Sequence, residues 1–176
     1  TKPSGTGILS TAQKRGVLQP EHTEDWYRQL TALNDAGLEL GKLAAVHAMT
    51  DVTGFGLLGH LIEMANGSGL HAQLQYHAIP VLAAARTYLP QRIVPDATYR
   101  NWNAYQAATG FAKEVPVMEA FTLLPDPQTN GGLLIAADPA GREAVEAVLH
   151  KAGLAEFACP IGILEASGDK TVWVNP

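Results

Sequence analysis

The sequence predicts an α+β domain in which a mixed β-sheet is covered by helices. Two observations carry that expectation. Segments with apolar residues at helical spacing are interleaved irregularly with segments that alternate apolar and polar residues, and the chain closes on strands rather than on a further strand–helix unit. There is no internal repeat and no low-complexity tract.

The elements follow in order. From Pro20 to about Ala36 the chain reads as a helix: Glu24 and Asp25 fall in the first turn, Trp26, Leu30 and Leu33 recur at helical spacing, and Gly37 is placed to stop it. A second short helix is expected over Leu38 to Ala45. "AVHAMT" then alternates like a short strand ending at Thr50, and the helix after Gly56 carries Leu57, Leu58, Leu61, Ile62 and Ala65 before "NGSG" ends it. "LHAQLQYHAI" reads as a half-buried strand, and Pro80 opens a helix that Pro90 closes. Residues 91–116 read as the least regular part, with "VPDATYRNWNAY" a loop. A turn at Pro125 to Asn130 precedes a buried strand from Leu133. "PAGREAVEAVLHKAG" is a helix begun by Pro139 and ended by Gly153, and the last two strands, joined by "SGD", read as a hairpin.

Composition narrows the function classes. The 176 residues, 47% hydrophobic and 16% charged, suit one globular domain. A net charge of −5 with no Lys/Arg-rich stretch argues against nucleic acid or an anionic membrane as partner, and no apolar run approaches the roughly 18 residues of a membrane span. The lone cysteine, Cys159, excludes an internal disulfide framework and fits a reducing compartment such as the cytoplasm. Its apolar surroundings predict a buried structural thiol. "TKPSGTGILSTA" has neither an initiating methionine nor a signal-peptide layout and reads as a chain joined in mid-course. Residues 1–18 are therefore expected as a linker from a missing N-terminal domain, and residues 19–176 as the α+β domain.

Three polar stretches could carry chemistry. In "MTDVTGFGLLGH" Asp51 stands where a strand ends, before a glycine turn and a helix N-terminus whose amides favour anions. Mg2+ takes one or two protein carboxylates beside phosphate oxygens and water, so a lone Asp there suits a magnesium half-site. The competing reading is a turn cap, with Thr50 and Thr53 bonding local backbone. "DPQTNGG", with Asp126, Thr129, Gly131 and Gly132, is either a structural turn or a ligand-contacting loop. Arg100, Asn101 and Trp102 could hold a phosphate, but a bridge between loop backbones explains them more simply. His60 is expected on the polar face of its helix, and His47, His71 and His77 in strands. No histidine spacing suggests zinc.

"TKPSGTGI", "TDVTGFGLLGHL", "TYRNWNAY" and "DPQTNGGLL", in this order, resemble the C-terminal domain of the selenophosphate synthetases, a type shared with aminoimidazole ribonucleotide synthetase. The resemblance runs the length of the chain. It implies an α+β fold with a ferredoxin-like element, and an enzyme that converts ATP, selenide and water to selenophosphate, AMP and phosphate with Mg2+. It further implies Asp51 as a metal ligand and Thr50, Thr53, Gly54, Asp126, Thr129, Gly131 and Gly132 near the nucleotide. Lys2 and Thr6 match the segment leaving the N-terminal domain, which supplies the nucleophile and dimerises the parent. The chain departs from the family pattern at Ser4 and Asn130, and around the Arg-Asn stretch at Pro95, Asp96, Ala97 and at Tyr105, Gln106, Ala107. Two alternatives stand beside this reading: a free-standing nucleotide-binding or regulatory module without catalysis, or another ATP-using member of the same superfamily.

Overall fold

The computed structural model describes all of residues 1–176 and contains eight α-helices and six strands. The helices are α1 (Thr6–Lys14), α2 (Thr23–Thr31), α3 (Ala36–Leu40), α4 (Gly56–Ser68), α5 (Ala83–Tyr88), α6 (Asp96–Tyr105), α7 (Val117–Leu123) and α8 (Arg142–Lys151). The strands are β1 (Val46–Asp51), β2 (His71–Gln75), β3 (Thr109–Phe111), β4 (Leu133–Ala137), β5 (Gly162–Glu165) and β6 (Val172–Asn175). β1 and β4 form an antiparallel ribbon, and the other four strands form a mixed sheet in the order β3-β6-β2-β5. The expected α+β architecture is therefore observed.

The sheet differs from expectation at its end. β5 and β6 run in opposite directions, as in a hairpin, but β2 lies between them, antiparallel to β5 and parallel to β6. The connection over residues 166–171 is long enough to cross one strand, a step of about 10 Å at the usual spacing. The crossing places Ala72 and Leu74 of β2 and Val172 and Val174 of β6 side by side in the core. β2 also ends earlier than its alternation suggests, and His77 sits in a 3-10 turn at Tyr76–Ala78 rather than in the strand.

Residues 1–18 are not an external linker in this fold. α1 sends Ile8, Leu9 and Ala12 into the main core with no exposed surface, alongside Leu58, Leu74, Ala85 and Tyr88. The stretch expected as a loop folds as α6, which starts directly after Pro95. The residues it buries most deeply are the polar Thr98 and Asn101, with only Trp102 and Tyr105 packed half-buried against the main core beside them. α7 and β3 carry no clear pattern in the sequence either. Cys159 is exposed, not buried, because the segment before β5 runs along the surface. A second small core of Ala36, Leu40 and Leu149, with Met49 and Ile135 against it, joins α3 and α8 to the ribbon. Leu9→Ala tests whether α1 belongs to the folded unit: it should cost about 2–5 kcal/mol in urea unfolding. A linker position would lose almost nothing.

Candidate functional site

The β1–α4 junction is fixed from every side, yet one edge of it stays open. Asp51 ends β1 opposite Leu133 of β4. Its side chain is exposed and is held by no protein hydrogen bond, while Thr50 Oγ1 donates only to the Asp51 carbonyl, at 3.3 Å. A turn cap would need the amides that follow, and these have other partners. Val52 N donates to Gly132 O at 2.8 Å, and Thr53 N donates to His60 Nε2 at 3.1 Å. Asp51 is therefore not the cap that the simpler sequence reading proposes.

Beyond Asp51, Thr53 O accepts from Gln128 N and Gly56 N, both at 3.0 Å. Gly54 O accepts from Asn101 Nδ2 at 2.8 Å, and the same amide reaches Pro125 O at 3.0 Å. Asn101 thus bridges two loops, and Arg100 is exposed. The glycines divide by cause. Gly56 has φ +69°, and a Cβ on it would lie 2.6 Å from the Pro125 carbonyl carbon. A Cβ on Gly59 would lie 2.6 Å from Phe55 Cβ. Gly54 is exposed, with nothing within 4 Å of its missing Cβ, so no internal packing demands glycine there. The N-terminus of α4 is not the open anion site expected from the sequence. Gly56, Leu57 and Leu58 are buried, and Leu58 N donates to Leu124 O at 2.9 Å. His60 also departs from expectation: it is buried, not on a polar face.

The "DPQTNGG" loop faces inward. Asp126 is fully buried, and its Oδ2 accepts from Gly7 N at 3.1 Å and from Gln128 Nε2 at 2.8 Å. Gln128 Oε1 accepts from Gly5 N, Thr6 N and Thr6 Oγ1 at 3.1, 3.2 and 3.0 Å. These two side chains supply the cap that α1 lacks, since its own N-cap position, Gly5, has no side chain to offer. Asn130, at φ 54°, donates to Ala32 O at 2.7 Å and Leu30 O at 3.0 Å at the end of α2, and Lys2 Nζ reaches Ala32 O at 2.6 Å. A Cβ on Gly131 would strike Val52 O, and one on Gly132 would strike Lys2 N. Asp126, Gly131 and Gly132, expected near a nucleotide, are thus committed to protein contacts, while Thr129 is exposed. Gln128 and His60 carry no sequence signal: a glutamine in a polar loop and a histidine in an apolar helix look ordinary.

No three His, Cys, Asp or Glu side chains stand together as a metal cage. The one carboxylate at the junction fits a cation whose other ligands are phosphate oxygens, water and groups outside this chain. A cavity of about 90 Å³ lies behind the loop, lined in part by Val52, Leu57, Ile79 and Leu134. It is smaller than the roughly 300 Å³ at which small-molecule pockets begin.

The chain belongs to the family described as "AIR synthase related protein, C-terminal domain", which matches residues 1–175. Within it, the chain is 48% identical over 167 residues to the selenide, water dikinase of Pseudomonas aeruginosa, covering 93% of this chain and 46% of that protein. It is 45% identical over 166 residues to that of Aeromonas salmonicida, covering 94% and 46%. The chain thus spans about half the length of the curated relatives it matches. Among solved structures, the Escherichia coli hydrogenase maturation protein HypE superposes with TM-score 0.63 at 21% identity, covering 98% of this chain and 44% of that one. Thiamine-monophosphate kinase of Stenotrophomonas maltophilia gives 0.63 at 18%, covering 98% and 48%. These two likenesses establish the fold.

Burial pushes the Asp126 carboxyl up to about 7, against the opposing pull of the Gln128 side chain and the Gly7 amide. The folded protein therefore holds a proton that the unfolded chain, at 3.8, releases. The stability this adds is complete below the unfolded value and is lost as pH rises through about 7. Asp126→Asn removes that titration. Its melting temperature should fall less than the wild-type value between roughly pH 4 and pH 8, and equal slopes would contradict a protonated buried carboxyl.

Proposed function

We propose that this chain is the C-terminal half of a selenophosphate synthetase, which makes selenophosphate, AMP and phosphate from ATP, selenide and water. In this reading Asp51 is the carboxylate the chain contributes to a magnesium–ATP site completed by an N-terminal domain. The parent protein is a cytoplasmic homodimer. The observation that carries the reading is the state of Asp51: exposed, free of protein hydrogen bonds, and mounted on a junction whose Val52 and Thr53 amides and Thr53 and Gly54 carbonyls are tied to the rest of the fold. The identity of 45–48% to selenide, water dikinases supports the choice of reaction.

Mg2+ would neutralise phosphate charge and help orient the phosphoryl groups. The chain's own contribution is positional. Asp51 offers a formal negative charge from the end of a paired strand. Thr50 and Thr53 flank it in the chain, with their hydroxyls against the Asp51 carbonyl and His60 Nε2, Gly54 leaves room for a phosphate to approach the main chain, and Thr129 extends the polar edge from the second loop. Gly131 and Gly132 act one step back by holding that loop against the end of β1, and Asp126 by holding it against α1. Phosphoryl transfer depends on positioned metals and a phosphate cradle, and this chain brings one carboxylate to such a site.

Two outcomes are expected. The 176-residue chain alone should not consume ATP in the presence of selenide and magnesium; AMP release by it would overturn the shared-site reading. In the full-length protein, Asp51→Asn should cut selenophosphate formation by about a hundredfold or more, the scale of losing a preorganised electrostatic contact. Its melting temperature should move by less than about 2 °C, as for an exposed substitution. Near-normal turnover at ordinary magnesium would refute the assignment.

A further inference from the structure

We infer that His60 is a positioning residue, whose Nε2 fixes the backbone of Thr53 and thereby holds the edge on which Asp51 and Gly54 meet a magnesium–phosphate ligand. The inference rests on the reading of Asp51 given above.

His60 lies one turn inside α4, 7% exposed, and Nε2 is 3.1 Å from both Thr53 N and Thr53 Oγ1. A ring nitrogen that accepts from a backbone N–H must be the unprotonated one, so the ring hydrogen sits on Nδ1. That atom is buried and has no hydrogen-bond partner. The nearest carboxylate oxygen, on Glu63, is 3.7 Å away, beyond hydrogen-bond reach. A buried, unpartnered donor is unfavourable, and a leucine in this largely apolar helix would avoid it. What leucine could not do is accept the Thr53 amide. The unsatisfied Nδ1 is thus the cost of placing an acceptor beneath the loop.

Thr53 is where the clamps converge. Its carbonyl joins Gln128 N and Gly56 N, its neighbour Val52 is tied to Gly132, and the following carbonyl is tied to Asn101. Within this set the Thr53 amide has His60 as its only acceptor. Phe55, packed over Gly59 with its ring 5.8 Å from the imidazole, closes the outer side. Losing Nε2 would leave the Thr53 amide without its acceptor and loosen the loop on that side, while Leu57, Leu58, Leu61 and Ile62 keep α4 in the core. The effect would therefore fall on ligand alignment more than on folding.

The test uses the full-length protein with His60→Leu, which removes the acceptor, and His60→Gln, whose amide oxygen can occupy the place of Nε2. Asp51→Asn is run as a separate arm. Two quantities are measured: hydrogen exchange of the peptide covering residues 50–59, and the magnesium concentration giving half-maximal AMP formation from ATP and selenide. His60→Leu should raise exchange at the loop and raise the magnesium requirement by about tenfold, the low end for a residue supporting a metal site. His60→Gln should recover most of both. The inference is overturned if His60→Leu exchanges faster yet needs no more magnesium, or if His60→Gln is as impaired as His60→Leu. If Asp51→Asn is impaired and His60→Leu is normal, the positioning role alone fails. If Asp51→Asn itself is normal, the site reading fails and the positioning role fails with it.

Discussion

The constraint on which this fold turns is the buried N-terminus of α1. A helix end inside a protein presents amides that must find acceptors, and Gly5 at the N-cap has no side chain to offer. The acceptors come from far along the chain, with Gln128 serving Gly5 and Thr6, and Asp126 serving Gly7. This single arrangement draws the loop over residues 126–132 against the first helix. The same loop then has Gly132 O and Gln128 N in position to pair with Val52 and Thr53. The cap and the junction that carries Asp51 are thus two faces of one loop.

That coupling explains which parts of the molecule could be read from sequence. α4 and α8 were legible because they bury apolar residues at helical spacing and end at glycines with positive φ, Gly69 and Gly153. β1 and β2 are legible from their alternation, and β4 as an apolar run after a turn. α6 is not, since the residues it buries most deeply are Thr98 and Asn101, and Asn101 finds its partners, Gly54 O and Pro125 O, in other loops. α1 lies in the stretch expected as a linker because the chain starts without a methionine or a signal-peptide layout and matches the segment that leaves an N-terminal domain in the family it resembles. Only the distant acceptors turn that polar start into a helix. The order β5, β2, β6 was hidden for a similar reason, as strand direction is local but strand insertion is not.

The site shows the same division. Asp51 could be singled out from its place between a strand and a glycine turn, and the structure leaves its carboxylate exposed as a ligand would need. The glycines misled. A glycine needed for a ligand and one needed for another backbone look identical in a sequence. Among the glycines of the two site loops, Gly56, Gly59, Gly131 and Gly132 serve internal contacts, and Gly54 faces open space. The residues of the second loop leave a structural turn and a ligand contact equally open at Asp126, because a carboxylate in a glycine loop has the same letter whether it faces solvent or a helix end.

Asp51 and Asp126 are therefore best understood as a pair of opposites. Desolvation raises the Asp126 carboxyl, and its bonds to the Gly7 amide and the Gln128 side chain use it as an acceptor, so its value to the fold survives loss of charge. The exposed Asp51 has no such partners, and the only property it can offer beyond those of asparagine is its charge. In the proposed site that charge would act only together with ligands that this chain does not contain, since no three potential metal-binding side chains stand together in it. The chain folds around one aspartate and presents the other.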